Sequence, residues 1–178
     1  MAGAWSRRPT HDRTLKVWDL DRGRVLATLE GHAREVSACV VTPDGRRVVS
    51  ASWDQTLKAW DLESGRVLAT LEGHGWVSAC AVTPDGLRVV SSSPDRTLRV
   101  WELDTYACVL TYCGDVPYTA VAAAATGVIA GDTAGNLWFL DWPPSMAPSS
   151  RSTTPPMPVA RSWRPWGRVR SWWQSRRS

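Results

Sequence analysis

The chain is 178 residues long, enough for one ordinary domain, and its 21 Lys and Arg against 17 Asp and Glu give a formal charge of +4. That charge is unevenly placed: Pro143 to Ser178 holds seven Arg and no acid, while the first 142 residues hold fourteen basic and seventeen acidic groups, a net of −3. No run approaches the roughly 18 apolar residues of a membrane span, Met1 to Arg8 lacks the apolar core of a secretory signal, and four Cys are too few for a disulfide scaffold.

In chain order, residues 1–10 read as a leader, and His11 to Trp18 enters midway through a repeated unit. Arg24 to Glu30 (RVLATLE) then reads as a strand and returns residue for residue as Arg66 to Glu72, an offset of 42. Leu29-Glu30-Gly31-His32 recurs as Leu71-Glu72-Gly73-His74, Val36-Ser37-Ala38-Cys39 as Val77-Ser78-Ala79-Cys80, and Thr42-Pro43-Asp44-Gly45 as Thr83-Pro84-Asp85-Gly86. Trp18-Asp19-Leu20 recurs as Trp60-Asp61-Leu62 and as Trp101-Glu102-Leu103. Between these marks lie short β-branched runs. Val36 to Val41 meets the Thr-Pro-Asp-Gly turn, whose Pro and Gly positions suit a type I turn. Arg47 to Ser52 follows, Asp54-Gln55 turns the chain into Leu57 to Trp60, and Asp61 to Gly65 turns it into Arg66 to Leu71. Four strands fill each period, with no 3.6-residue apolar spacing to support a helix.

Cys39 and Cys80 fall in strand-like runs, and Cys108 and Cys113 lie five apart with no CxxC and no clustered His. All four are expected to be reduced, mostly buried small hydrophobes, with no metal site and no cofactor. A cytoplasmic location follows from the same thiols. Two Lys against nineteen Arg point to a GC-rich, bacterial coding sequence.

Gly31-His32, Gly73-His74, Trp60-Asp61 and the drifted Trp101-Glu102, at the period of 42 residues, resemble the WD-repeat β-propeller family, specifically its bacterial tandem arrays. The resemblance covers residues 11–142 and implies an all-β fold of four-stranded antiparallel blades. It also implies a hydrogen-bonded chain in each repeat: His32, Ser50 (or Ser52 on the same face), Asp54 and Trp60, then His74, Ser91 (or Ser93), Asp95 and Trp101. A buried indole N–H needs an acceptor, and a hydroxyl can pass the chain on to imidazole and carboxylate. A Ser-His-Asp nucleophile set would occur once; this set occurs twice and includes a Trp, so a structural role is expected.

Asp and Trp stand six apart in four places: Asp12–Trp18, Asp54–Trp60, Asp95–Trp101 and Asp132–Trp138. Four copies of one hairpin are therefore predicted, within thirteen strands grouped as two, four, four and three. The last copy is degenerate: Asp115 stands where His is expected, and Val128 to Gly131 carries no hydroxyl. About three blades are fewer than the four to eight that close a propeller. A truncated product is the favoured expectation, with a fragment of a longer protein, or copies that associate to complete a ring, as alternatives.

From 143 to 178, seven Pro, seven Arg and four Trp with Ser and Thr predict a disordered basic tail. Arg161, Trp163, Arg164, Trp166, Arg168, Arg170, Trp172 and Trp173 interleave cations with aromatics, which suits nucleic acid or an anionic membrane. The leading expectation is a non-catalytic protein-interaction scaffold or sensor segment of a larger signalling protein, its protein partner unknown. Arg34, Glu35, Trp53 and Trp76 are its candidate contacts, since neither Trp fills the repeated network position. An enzyme is not expected: there is no GxxxxGK[ST], HRD or HExxH, and His11, His32 and His74 all fall in repeat contexts.

Overall fold

A computed structural model describes residues 13–143; the leader and the tail, with all eight tail candidates from Arg161 to Trp173, lie outside the described residues. Four antiparallel sheets follow one another along the chain. The first holds β1 (Leu15–Asp19) and β2 (Arg24–Leu29). The second runs β3 (Val36–Val41), β4 (Arg47–Ser52), β5 (Thr56–Asp61), β6 (Val67–Glu72). The third runs β7 (Ala79–Val82), β8 (Arg88–Ser92), β9 (Thr97–Glu102), β10 (Cys108–Cys113). The fourth is β11 (Tyr118–Ala123), β12 (Gly127–Asp132) and β13 (Leu137–Asp141). No helix occurs among the described residues, and the strands fall into the expected groups of two, four, four and three. The fold is a partial β-propeller.

The turns work by local chemistry. Gly45 N–H donates to Thr42 O at 2.8 Å and Gly86 N–H to Thr83 O at 2.8 Å. The Thr42 and Thr83 hydroxyls each donate to the Asp two residues on, at 2.5 Å, and those Asp side chains accept the N–H of Arg46 and Leu87. Pro sets φ, Asp holds the loop, and Gly accepts the left-handed conformation that ends it.

Burial follows strand position. The inner strands β4, β5, β8 and β9 cover both faces, so Val48 and Val49, or Val89 and Val90, are buried back to back. Three apolar layers separate the four sheets. Leu29, Val48 and Trp60 fill the first with Leu15 and Val17; Leu57, Ala59, Val89, Trp101 and Leu103 fill the second. Leu98, Val100, Tyr118, Val128 and Leu140 fill the third. The expectation of mostly buried cysteines is corrected here: Cys39, Cys108 and Cys113 are exposed and Cys80 half-buried. All four stand on the edge strands β3, β7 and β10, where no strand covers the outer flank.

The predicted fourth copy of the hairpin also needs correcting. Ala51 pairs with Leu57 and Ser92 with Leu98, which centres those turns on Asp54 and Asp95. In the last sheet Gly131 pairs with Leu137, which centres the turn on Ala134. The residue after each centre has positive φ: Gln55 at 75°, Arg96 at 71°, Gly135 at 81°. Asp132 therefore takes the place of Ser52 and Ser93, Trp138 that of Lys58 and Arg99, and Leu140 that of Trp60 and Trp101. A slip of two residues preserves the face, so the sheet still forms. At the other end Asp12 lies outside the described residues, but Trp18 pairs with Val25 as Trp60 does with Val67 and Trp101 with Cys108.

Candidate functional site

Two polar chains run through the stack, one in each complete blade. Trp60 Nε1–H donates to Ser50 Oγ at 2.8 Å, Ser50 Oγ meets His32 Nε2 at 2.7 Å, and His32 Nδ1 meets Asp54 Oδ2 at 2.7 Å. In the next blade Trp101 donates to Ser91 at 2.8 Å, Ser91 meets His74 Nε2 at 2.6 Å, and His74 Nδ1 lies 3.4 Å from Asp95 Oδ2. Chemistry sets the direction. Indole only donates and carboxylate only accepts, so Nδ1 carries the imidazole hydrogen and the hydroxyl donates to Nε2.

Ser50 and Ser91, not Ser52 and Ser93, join these chains. Ser52 instead donates to Glu35 O at 2.8 Å and accepts from Asp54 N–H at 3.1 Å, fixing the loop above the network. Ser93 likewise accepts from Asp95 N–H at 3.1 Å. Sequence reasoning missed Thr56 and Thr97, whose hydroxyls donate to Asp54 and Asp95 at 2.7 and 2.6 Å. Their signal was present as the recurring Asp54-Gln55-Thr56 and Asp95-Arg96-Thr97. The N–H groups of Ala33 and Gly75 complete each carboxylate's shell at 2.9 and 2.7 Å.

The glycine of each Gly-His pair is required by its backbone, whose positive φ L side chains rarely adopt. Gly31 has φ 151° and a Cβ there would stand 3.3 Å from the Trp60 ring; Gly73 has φ 131° and a Cβ would press on the Arg99 guanidinium at 2.7 Å.

Burial pushes His74 down to about 4, an effect that Asp95 only partly offsets, and burial lowers His32 below its ordinary value in the same way. Burial works against the Asp95 carboxylate, yet donation from the Thr97 hydroxyl and the Gly75 and Thr97 N–H groups holds it at about 2. Asp54 is lowered by the same balance, with Thr56, His32 and Ala33 N–H outweighing burial. The stable state is neutral imidazole beside carboxylate.

The last sheet has one short substitute for this chain: Trp138 Nε1–H donates directly to Asp132 Oδ2 at 2.8 Å. Asn136 adds a second donor to the same oxygen at 2.9 Å. Ala130 and Ala134 stand in the Ser and Asp positions. Asp115 is exposed, and no His is available there.

The four predicted contact residues come together on the loop surface above the networks. Trp53 and Trp76, both half-exposed, stack with ring centroids 6.0 Å apart and planes 19° from parallel. Trp53 N–H donates to Glu35 O at 3.0 Å, and the Ser52 hydroxyl holds both Glu35 O and Arg34 O. Three loops, 30–35, 53–55 and 73–78, are thereby fixed around an aromatic pair.

Among the described residues no group of three or more His, Cys, Asp or Glu is placed to hold a metal ion, and no helix is long and apolar enough to cross a membrane. No curated protein matches the chain. A family model described as WD domain, G-beta repeat matches residues 23–61 and 65–102. Each matched segment takes one outer strand, β2 or β6, and the first three strands of the next sheet, so the sequence repeat ties adjacent blades together. The two His-Ser-Asp-Trp chains coincide with the matched repeats, so residues 23–61 and 65–102 are WD repeats.

Proposed function

We propose that the chain is a non-catalytic protein-interaction scaffold and that the stacked Trp53–Trp76 pair is the centre of its partner site. WD repeats mediate protein–protein interaction in general, and the observation that carries the specific reading is a half-exposed aromatic pair held by fixed loops. Large preorganised aromatics lose little side-chain entropy on binding and are common interface anchors. Arg34 and Glu35 supply a polar rim beside them. The buried hydroxyls of Ser50 and Ser91 are each engaged by indole and imidazole, which argues against a nucleophile despite the Ser-His-Asp composition.

The scaffold belongs in the cytoplasm of a bacterium as a segment, residues 11–142, of a larger signalling assembly. Four thiols with no disulfide and an Arg-heavy composition support that placement. Apolar faces left uncovered at the first and last sheets leave room for further blades, from a longer chain or a second copy. A second activity, binding nucleic acid or anionic membrane, rests on the alternating Arg and Trp between 161 and 173. Deleting residues 143–178 should abolish RNA and anionic-vesicle binding, and binding that survives the deletion rules that activity out.

The scaffold reading is tested by panning a displayed peptide library against the wild-type chain and against Trp53→Ala/Trp76→Ala. Selected peptides should lose at least tenfold in affinity for the double variant while its circular dichroism is unchanged. Equal binding to both proteins would remove the aromatic pair from the site.

A further inference from the structure

Every internal sheet interface repeats one pairing. The front of a sheet presents the Trp position of its third strand and the Leu just after it: Trp60 and Leu62, or Trp101 and Leu103. These pack on the rear of the preceding sheet, on the two alternate residues of its third strand: Leu15 and Val17, or Leu57 and Ala59. The third layer keeps the pattern, with Leu140 in the Trp position against Leu98 and Val100. Two sets are left over. On the first sheet the front set is Trp18 and Leu20, with Val25 opposite Trp18. On the last sheet the rear set is Leu137 and Phe139, facing away from the buried Leu140 by strand alternation. Trp18 is 49% exposed where Trp60 and Trp101 are 1% and 2%, and Leu137 and Phe139 are 62% and 46% exposed where Leu57 and Ala59 are fully buried.

We infer that the front set of one copy of this chain docks on the rear set of a second copy, and that the described residues of two copies close into a ring of eight sheets, four from each. The leftover front needs a Leu-and-aliphatic strand face, and the leftover rear needs a Trp-and-Leu face. A second copy supplies both, with the third-strand pairing that the three internal interfaces already use. Eight sheets lie at the upper end of the range over which propellers close. A front-to-rear contact is heterologous, so closure is what separates a finite dimer from a filament. The inference deepens the self-association named above and makes no use of the Trp53–Trp76 surface.

Sedimentation velocity and light scattering on the full chain, over a dilution series, test it. The wild type should run at twice the monomer mass. Trp18→Arg alone and Phe139→Arg alone should run as monomers, while an equimolar mixture of the two should recover dimer, because one intact front then meets one intact rear. Leu20→Lys and Leu137→Lys provide a second such pair if circular dichroism shows either Arg variant unfolded. A monomeric wild type, a mass that grows without limit, association kept by the single variants, or a mixture that stays monomeric would each overturn the inference. Trp53→Ala/Trp76→Ala should keep the dimer mass, so losing the partner site and losing the ring are separate results.

Discussion

Ser50 Oγ accepts from one ring and donates to another with no exposure to water. Replacing it with Ala leaves two groups, the Trp60 N–H and the His32 Nε2, buried without that partner. Each such group costs about 1–3 kcal/mol, so Ser50→Ala should lower the unfolding free energy by roughly 2–6 kcal/mol in urea titrations. Adding Trp60→Phe should cost less than in the wild type, because the pair shares one bond. Thr56→Ala, at the far end of the chain, should cost about 1 kcal/mol. The titrations run in the opposite sense to a salt bridge. His74 falls from its ordinary 6.5 to about 4 in the folded state, so between those values the unfolded chain binds more protons. Stability contributed by the neutral imidazole is whole above pH 6.5 and is lost as pH falls toward 4. The slope is at most about 1.4 kcal/mol per pH unit for each histidine. Asp95, held at about 2, adds a second loss below its ordinary 3.8. Thermal melts from pH 7 to 3 should show a steady decline that is shallower between 6.5 and 4 in His74→Gln. His, Asp and Trp were legible in the sequence because each recurs once per period. Ser50 and Ser52 were not separable there, since residues two apart share a face and only the loop carbonyl of Glu35 distinguishes them.

Hairpins show what spacing can and cannot convey. A six-residue interval between Asp and Trp is unchanged when both step two places back along the chain, so Asp132–Trp138 looked like Asp54–Trp60 while sitting in another register. The information that breaks the tie is in the turn: Gly135 has φ 81° and Asn136 donates to Asp132. Strand runs, by contrast, could be read closely, because Val36–Val41 and Arg47–Ser52 are β-branched runs bounded by Pro, Gly and Asp. Cysteine burial was misjudged from local hydrophobicity, which does not reveal whether a strand is central or at an edge. The slipped hairpin has a measurable consequence. Trp138→Phe removes one partly buried bond and leaves Asp132 three other donors, so it should cost no more than about 1 kcal/mol. Trp60→Phe strips Ser50 of its indole partner and opens space against Gly31, and it should cost about twice as much. Gly31→Ala should also destabilise by about 1–3 kcal/mol, through the left-handed φ and the 3.3 Å approach to Trp60.

A stack whose sheets touch only their neighbours has stability that depends on position. The second and third sheets are covered on both sides, while the first and last are covered on one. In such a nearly one-dimensional array each lost interface is lost stability for the unit that borders it. Repeat counting had already yielded the number and grouping of sheets; which faces stay open required the packing, because Trp18 and Trp60 are the same residue in the same register with 49% and 1% exposure. Amide exchange on monomeric Trp18→Arg should therefore be graded. Val49, Leu57, Val89 and Val90 in the middle sheets should exchange slowest. The amides of β1 and β13 should open at least tenfold faster, a free-energy difference of about 1.4 kcal/mol. In the wild-type chain the gradient should flatten as concentration rises, since a second copy covers the open faces and slows β1 and β13 together. A uniform exchange rate from β1 to β13 in the monomer would mean that the sheets unfold as one cooperative unit. A gradient that ignores concentration would mean that the outer faces stay bare.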